Sequence, residues 1–348
     1  MDITIRDVAK LAGVSISTVS RVINQKGLVT PEKEQRVLAA VEALQYKPNA
    51  IVQSLKHKKT KLIGMMTSDL SVSFFVGILQ FLEKNLLAEG YQILVANTYD
   101  TPETEQKLVD LMAQGRVDLI LINSTGGNDA LMASLQSSGM CFLGYDRYPL
   151  GNPFSSVYVD KTAGIYQLLT HLYRLGHRRM CFITGPARLS TNKDRREGIR
   201  LFLKDYGLPE ESVSVYEEEF SEGFARRVVA QTIYGENAPT AYITGSVVLA
   251  TGIIMYCEEQ GISIPGDISL ASFGTFRHSD MVKPSLLHID DAYAEVAAQL
   301  LEWIRMVEGE ESVLPKTNRV IQPQLIPGDS CGVPRNYILY PASERAGG

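Results

Sequence analysis

The sequence is poor in the residues from which most metal and redox centres are built. Its 348 residues include five histidines and four cysteines, and neither set has the close spacing of metal ligands. Two of the cysteines lie inside apolar runs, where a free thiol behaves as a small hydrophobic side chain. We therefore expect structural thiols, no metal and no cofactor. The cysteines are Cys141, Cys181, Cys257 and Cys331.

Motifs of the common enzyme classes are also missing. There is neither a G-x-G-x-x-G fingerprint nor a phosphate-binding loop. His278, Ser279 and Asp280 are the residue types of a hydrolytic triad, but they are sequence neighbours, whereas a triad is assembled by geometry. These absences argue against an enzyme.

Long hydrophobic runs are absent as well. No apolar stretch approaches the roughly 18 residues that span a bilayer. The first residues lack the charged-then-apolar order of a signal peptide. We therefore expect a cytoplasmic protein without membrane contact. With 45% hydrophobic and 21% charged residues, the chain has the composition of a globular protein of more than one domain.

Charge is distributed unevenly along the chain. Residues 1–61 carry eleven basic and five acidic side chains, whereas the remainder carries 23 basic and 34 acidic ones. A basic N-terminal segment on an acidic body is the layout expected of a DNA-binding module joined to a separate sensing domain.

The basic segment begins with a pattern of two short helices. Thr4 and Asp7 have the spacing of a capping box, and Gly13 can end a helix in the left-handed conformation. Ser15 can cap a second helix directly afterwards. On that helix Val19 and Val22 share one face, and the polar residues Ser17, Ser20 and Arg21 lie on the other, with Ile16 at the boundary.

Two interpretations of this pattern remain open from spacing alone. It is typical of a helix-turn-helix, whose second helix enters the major groove, where an arginine can bind a guanine edge. It also fits an ordinary helical hairpin within a core. The basic charge favours the first interpretation. A third helix is predicted from Thr30-Pro31 to about Gln45, and residues 50–56 are too short for a stable isolated helix.

Beyond residue 62 the pattern changes to short apolar strands alternating with helices. Strict alternation predicts parallel sheets with right-handed crossovers, and more than ten such units favour two doubly wound lobes over one sheet. The chain then crosses between the lobes more than once, with late strands near 288–290 and 319–326. Ligands of such lobes bind beyond the carboxyl ends of the strands, in the cleft between them. The last 17 residues, from Gly332, receive no predicted structure.

These features together resemble the lactose repressor (LacI/GalR) family of bacterial transcription regulators, over nearly the whole chain to about Cys331. The resemblance is specific because many motifs occur in the family's order. They are Ile5–Ser15, Thr18–Asn24, Tyr46–Ala50, Ser54–Lys56, Leu62–Gly64, Arg116–Asp118, Asp146–Arg147, Leu175–His177 and Pro265–Ser269.

The resemblance implies a periplasmic-binding-protein-like body behind an all-α head. It suggests a helix-turn-helix domain at 1–48, a hinge helix or linker at 49–61 and a two-lobed domain at 62–331, followed by a tail at 332–348. Lobe 1 is then about 62–160 with 291–321, and lobe 2 about 161–290 with 322–331.

The resemblance also implies a homodimer, or a tetramer, on a pseudo-palindromic operator. Ile16, Ser17 and Arg21 match base-reading positions, and Thr4, Ser15 and Asn24 match phosphate contacts. Residues 50–56 match a hinge helix that folds on DNA and whose Leu55, followed by Lys56, enters the minor groove. Ser20 shares the exposed face of the second helix.

The expected effector contacts follow from the same resemblance. Family members often have an aspartate where this chain has Gly274, and an Asn-Asp pair where it has Ser246-Val247. Thr275, Arg277 or Ser246 then substitutes, or the effector has fewer hydroxyl groups, or the body responds to a protein co-regulator. The contact positions are Phe74, Phe75, Asp146, Arg147, Thr191, Arg195, Phe220, Ser246 and Gly274, of which the first two equally fit a plain core.

The leading hypothesis is thus a repressor controlled by a small molecule, sugar-like or related, bound between two lobes. A solute-binding protein for transport would need an export signal and no basic helical head.

Overall fold

A computed structural model describes residues 3–23, 29–46, 60–115, 117–151, 153–275, 283–308, 316–336 and 339. They belong to two compact units, Met1–Thr60 and Lys61–Gly348. Among the described helices, none is long and apolar enough to cross a membrane.

The described residues of the first unit form three helices around a small apolar core. They are α1 (Ile5–Ala12), α2 (Ile16–Ile23) and α3 (Pro31–Ala43). One valine from each helix, Val8, Val19 and Val37, is fully buried in this core. Because two short helices alone would expose these side chains, the third helix completes the unit.

Local chemistry sets the turn between α1 and α2. The backbone nitrogen of Thr4 donates to Asp7 Oδ2 at 2.8 Å, which forms the predicted capping box. Gly13 adopts a φ of +64°, and Arg36 donates to its carbonyl oxygen at 3.3 Å. Ser15 Oγ then accepts from the backbone nitrogen of Thr18 at 3.2 Å. The turn is therefore built by the residues that predicted it.

In the second unit, the first lobe carries a six-stranded sheet. The order is β11-β5-β4-β3-β1-β2, and all of its pairings are parallel. Its strands are β1 (Leu62–Thr67), β2 (Gln92–Asn97), β3 (Leu119–Ile122), β4 (Cys141–Tyr145), β5 (Ser156–Val159) and β11 (Arg319–Ile321). Its helices are α4 (Ser73–Leu86, extended by a 3-10 turn Leu87–Glu89), α5 (Pro102–Gln114), α6 (Asp129–Ser137) and α11 (Tyr293–Glu308).

The second lobe carries another six-stranded sheet, in the order β12-β10-β9-β8-β6-β7. Its strands are β6 (Met180–Thr184), β7 (Val213–Glu217), β8 (Ala241–Thr244), β9 (Ser269–Phe273), β10 (Leu287–Ile289) and β12 (Leu325–Ile326). Its helices are α7 (Lys161–Leu175), α8 (Ser190–Tyr206), α9 (Glu222–Thr232) and α10 (Val247–Gln260), with a 3-10 turn at Glu210–Ser212. The predicted fold class, a helical head with a two-lobed α/β body, is confirmed.

Three details differ from the sequence prediction. Strand β5 was missed because no helix separates it from β4, so it breaks the strict alternation. The single strand expected over 319–326 is two strands in different sheets, divided around Pro323, which has no amide proton for a ladder. Strand β12 also pairs antiparallel with β10, so the second sheet is not purely parallel.

The start of the tail, for which no structure was predicted, packs on the second lobe. Leu339 is 4% exposed and belongs to the core around Ile233. Arg335 Nη1 donates to the carbonyl oxygen of Asp267 at 2.8 Å. Among the described residues of the tail, Leu339 is the buried apolar one.

Close packing of α7 against α8 predicts a stability effect. A Cβ on Gly198 would lie 2.1 Å from Ile165 Cγ2 and 2.4 Å from the carbonyl oxygen of Thr162. Because this oxygen belongs to the backbone, moving it away costs free energy. We expect Gly198→Ala to lower the free energy of unfolding by about 1–3 kcal/mol, measured by urea denaturation. Gly223→Ala in α9 is the matched control, because the nearest atom lies 3.9 Å from its Cβ. Equal urea midpoints for the two variants would contradict the packing described here.

Candidate functional site

The exposed face of α2 carries the side chains expected to contact DNA. Ile16 is 46% exposed, Ser17 and Arg21 are exposed, and Ser20 is partly buried. These residues lie opposite the buried side of the helix. A polar face of this kind with one arginine suits a groove of duplex DNA.

Two of the expected phosphate contacts already serve as helix caps. The Thr4 hydroxyl donates to Asp7 Oδ2 at 2.7 Å, and Ser15 Oγ lies 2.8 Å from Ser17 Oγ. The two hydroxyl groups expected to contact phosphates therefore also hold the turn between α1 and α2. Asn24, Leu55 and Lys56, and with them the hinge segment 50–56, lie outside the described residues.

A cavity of about 580 Å³ opens between the two lobes, at the carboxyl ends of their strands. This volume is in the range of small-molecule sites. Strands β1, β2 and β4 of the first lobe and strands β6, β8 and β9 of the second lobe end at this cavity. All nine expected effector positions line it, namely Phe74, Phe75, Asp146, Arg147, Thr191, Arg195, Phe220, Ser246 and Gly274.

An ion pair fixes the wall of the first lobe. Both terminal nitrogens of Arg147 bind the Asp100 carboxylate, with Nη2 at 3.1 Å from Oδ2. Burial disfavours the charged guanidinium, but the carboxylates of Asp100 and Asp146 outweigh it and hold the pKa of Arg147 above its usual value. The Arg147 guanidinium also lies 5.9 Å from the ring centre of Phe220 in the other lobe.

A second ion pair joins the lobes at the back of the cavity. Lys161, the first residue of α7, places its Nζ 3.0 Å from Asp146 Oδ1, and Asn123 Nδ2 donates to Asp146 Oδ2 at 3.1 Å. Burial alone would raise the pKa of Asp146, but the Lys161 ammonium and the Arg147 guanidinium lower it below its usual value. The carboxylate is therefore charged at neutral pH.

Arg195 is the corresponding cation of the second lobe. Its Nη2 donates to the carbonyl oxygen of Gly245 at 2.8 Å, and Nη1 donates to Asn192 Oδ1 at 3.2 Å. The guanidinium lies 4.8 Å from the ring centre of Phe273. Burial lowers the pKa of Arg195 to about 10, so it stays charged at neutral pH.

Buried polar atoms without partners mark this cavity. Arg147 Nε, Arg195 Nε, Thr191 Oγ1 and Asp291 Oδ1 have no hydrogen-bond partner among the described residues. Each belongs to a residue that lines the cavity. Such atoms are rare in folded proteins, and each calls for an explanation, such as an ordered water, an ion or a functional role.

Hydrogen bonds also link the lobes around the cavity. Arg188 of the second lobe donates to the carbonyl oxygens of Asp100 at 2.5 Å and Thr125 at 3.1 Å. The Tyr148 hydroxyl donates to Asp194 Oδ1 at 2.6 Å. These hydrogen bonds hold one arrangement of the lobes. Other hydrogen bonds can replace them in a different arrangement.

The aromatic residues serve two purposes. Phe74 and Phe75 are 6% and 5% exposed and contact each other edge to face, so they belong to the core as well as to the cavity wall. Phe220 lies across Gly185, whose Cβ would fall 2.2 Å from the Phe220 ring. Any residue other than glycine at position 185 would place its Cβ where the Phe220 ring lies.

Sequence reasoning missed several charged residues of the wall. Lys161 was missed with strand β5, because its place at the cavity depends on that strand. Asp100 follows β2 with a left-handed φ of +53°, and neighbouring Tyr99 has a φ of +54°. Strained backbone of this kind concentrates at functional sites. The others are Glu219 and Asp291.

The predicted substitutes for the missing family residues are placed in part. Thr275 lines the cavity, and Ser246 does so while its Oγ caps α10, accepting from the backbone nitrogen of Leu249 at 3.4 Å. Arg277 lies outside the described residues. Among the described residues, no group of three or more His, Cys, Asp or Glu side chains is placed to hold a metal ion.

Comparison with known families agrees with both parts of this arrangement. The family model described as "Bacterial regulatory proteins, lacI family" matches residues 4–49. The model described as "Periplasmic binding proteins and sugar binding domain of LacI family" matches residues 60–330.

Individual relatives give the same result. The HTH-type transcriptional repressor PurR of Klebsiella pneumoniae (strain 342) is 30% identical over 303 residues, which is 86% of this chain and 89% of that protein. PurR of Escherichia coli O1:K1 / APEC is 29% identical over 303 residues, which again is 86% of this chain and 89% of that protein.

Solved structures share the fold. The Lac repressor dimer bound to operator and the anti-inducer ONPF superposes with a TM-score of 0.79 at 23% identity, covering 95% of this chain and 100% of that one. The Cra regulator of Pseudomonas putida in complex with fructose 1-phosphate superposes with a TM-score of 0.68 at 24% identity, covering 76% and 98%. Helical head, two-lobed body and relatives agree: the chain is a transcription regulator, not an enzyme, and it belongs to the LacI family of bacterial regulatory proteins.

Proposed function

We propose that this chain is an operator-binding repressor that acts in the cytoplasm, as a homodimer on a pseudo-palindromic site. A small molecule held between its two lobes sets its affinity for that site. The observation that supports this most strongly is the cavity, where charged and aromatic side chains of both lobes converge with buried polar atoms that have no hydrogen-bond partner among the described residues.

Control by a ligand requires that it bind two arrangements of the lobes with different affinity. A ligand in this cavity can contact both lobes, because Arg147 comes from one lobe and Arg195 from the other. A ligand that contacts both can replace the bonds that Arg188 and Tyr148 make across the cleft. Its binding energy is then coupled to the lobe arrangement.

A sugar or related metabolite fits this cavity. Solved relatives were obtained with fructose 1-phosphate, cellobiose and ribose. Gly274 and Val247 replace polar residues often found in the family, so the wall of the second lobe is more apolar there. We infer a ligand that presents fewer hydroxyl groups to that wall than a free hexose does.

A protein co-regulator is the second candidate for control of the same DNA-binding protein, and these two replacements favour it. The alternatives differ in a simple measurement. If a small metabolite changes operator affinity of the purified chain, no protein partner is needed.

The first prediction concerns DNA. For an operator selected from random duplexes, we expect Arg21→Ala to weaken binding about 5- to 100-fold, because an arginine on a guanine edge is worth about 1–3 kcal/mol. Affinity should also fall steeply with salt, since bound phosphates release counterions. Fluorescence anisotropy measures both effects.

Lys33→Ala is the control, since Lys33 is an exposed cation on α3 rather than on α2. It should weaken binding to operator and to random DNA alike. A flat salt response, or an Arg21→Ala variant with the operator preference of the wild type, would contradict the proposal.

The second prediction concerns the ligand. Thr191→Val removes a buried hydroxyl that lacks a partner, so the melting temperature of the free protein should hardly change. Ligand affinity should fall about fivefold or more if that hydroxyl binds the ligand. Thermal shift with ribose, cellobiose, fructose 1-phosphate and hypoxanthine measures both quantities.

Thr170→Val in α7 is the matched control, because Thr170 Oγ1 is likewise buried without a described partner but lies outside the cavity lining. It should keep the response of the wild type. Equal responses from both variants would remove Thr191 from the ligand site.

A further inference from the structure

Asp291 is the least satisfied acid of the cavity. It follows strand β10 by two residues and lines the cavity. Its Oδ1 is buried without a partner among the described residues. Its Oδ2 accepts only a long hydrogen bond, 3.4 Å, from the backbone nitrogen of Thr275. A buried carboxyl group with one weak bond can accept more.

The neighbouring Gly274 has no side chain, so the space beside the Asp291 carboxyl group stays open. Gly274 follows strand β9 with a φ of +89°, and a Cβ there would lie 3.8 Å from Asp291 Oδ2 and 3.5 Å from Val247 Cγ1. A longer side chain at this position that extends along this direction would approach the Asp291 carboxyl group. The two positions therefore share one region of the cavity wall.

The other charged groups around Asp291 are already engaged. The Lys161 ammonium binds Asp146 at 3.0 Å, and Asp290 Oδ1 accepts the Thr275 hydroxyl at 3.0 Å. Burial raises the pKa of Asp291 to about 6, and the nearby carboxylates of Asp290 and Asp146 act in the same direction, against Lys161. No ion pair joins Asp291 to another described residue. Among the described residues, it is an acid that forms no ion pair.

We propose that Asp291 supplies the carboxylate with which this cavity binds its effector, in the region that a side chain at residue 274 would otherwise occupy. There it accepts a hydrogen bond from a hydroxyl or amino group of the effector. This rests on the proposed function, in which the cavity holds a small molecule. It also explains how the chain does without a carboxylate at Gly274.

A pH dependence follows from this role. The ionised carboxylate is the better acceptor, so a donor group on the effector binds that form preferentially. Affinity should therefore decrease as the pH falls from 8 to 5, through the pKa of Asp291. In the free protein the sign is opposite: ionisation of the buried group is unfavourable, so stability decreases as the pH rises through 6.

A cycle of variants without any ligand tests the geometry. Melting temperatures are compared for the wild type, Gly274→Asp, Asp291→Asn and the double variant at pH 5 and pH 8. At pH 8 we expect Asp291→Asn to raise the melting temperature by about 2–4 °C and Gly274→Asp to lower it by a similar amount. The double variant should be more stable than the sum of the two single shifts predicts, because Asp291→Asn also removes the repulsion between the two carboxylates. At pH 5 the gain from Asp291→Asn should be smaller, because the native carboxyl group is then mostly protonated. Strictly additive effects at pH 8 would overturn the shared location.

The ligand role is tested with five named compounds: ribose, cellobiose, fructose 1-phosphate, hypoxanthine and glucosamine. For a compound that binds the wild type, we expect Asp291→Asn to weaken binding at least tenfold at pH 8 and to remove its pH dependence. A preference for glucosamine would identify an amino group as the donor, and a preference for a neutral sugar would identify a hydroxyl group.

Asp205→Asn is the control, because Asp205 is an acid of the second lobe that accepts the Tyr166 hydroxyl away from the cavity. It should bind as the wild type does. An Asp291→Asn variant with wild-type affinity overturns the inference. If the wild type binds none of the five, the proposed small-molecule control fails instead, and additivity in the ligand-free cycle still decides the position of Asp291.

Discussion

Pairing of buried charge is the constraint on which the cavity depends. Arg147 with Asp100 and Lys161 with Asp146 place four ionised groups between the lobes. Loss of one member of a buried pair costs about 3–5 kcal/mol, because its partner is left charged and alone. The loops after β2 and β4 and the start of α7 are therefore held together. Phe220 and Arg195 complete the wall around them.

The same arrangement makes the two lobes responsive to a ligand. The bonds across the cleft are few and polar, with Arg188 on two carbonyl oxygens and Tyr148 on Asp194. Each contributes about 1 kcal/mol, which is comparable to what a single ligand contact provides. A ligand can therefore shift the balance between lobe arrangements without disturbing either core. The helical head depends on a separate core around Val19.

Much of this could be predicted because the signals were local. Gly13 and Ser15 marked the turn of the head, and the family resemblance supplied the nine effector positions, all of which line one cavity. The rest depended on contacts between distant residues. Lys161 comes shortly after β5, which pairs with β4, and a Cβ on Gly274 would lie 3.8 Å from Asp291 Oδ2. No periodicity or spacing carries that information. The roles of these residues remain predictions.

We propose above all that the arrangement of the two lobes sets the affinity of the protein for its operator. Tyr148→Phe tests it most directly, because this variant removes one hydrogen bond between the lobes, to Asp194, and changes neither the cavity lining nor the head. Anisotropy titrations without any ligand should show operator affinity changed about fivefold, since about 1 kcal/mol is removed from one arrangement, while affinity for random DNA stays constant. Operator affinity equal to that of the wild type would contradict the account.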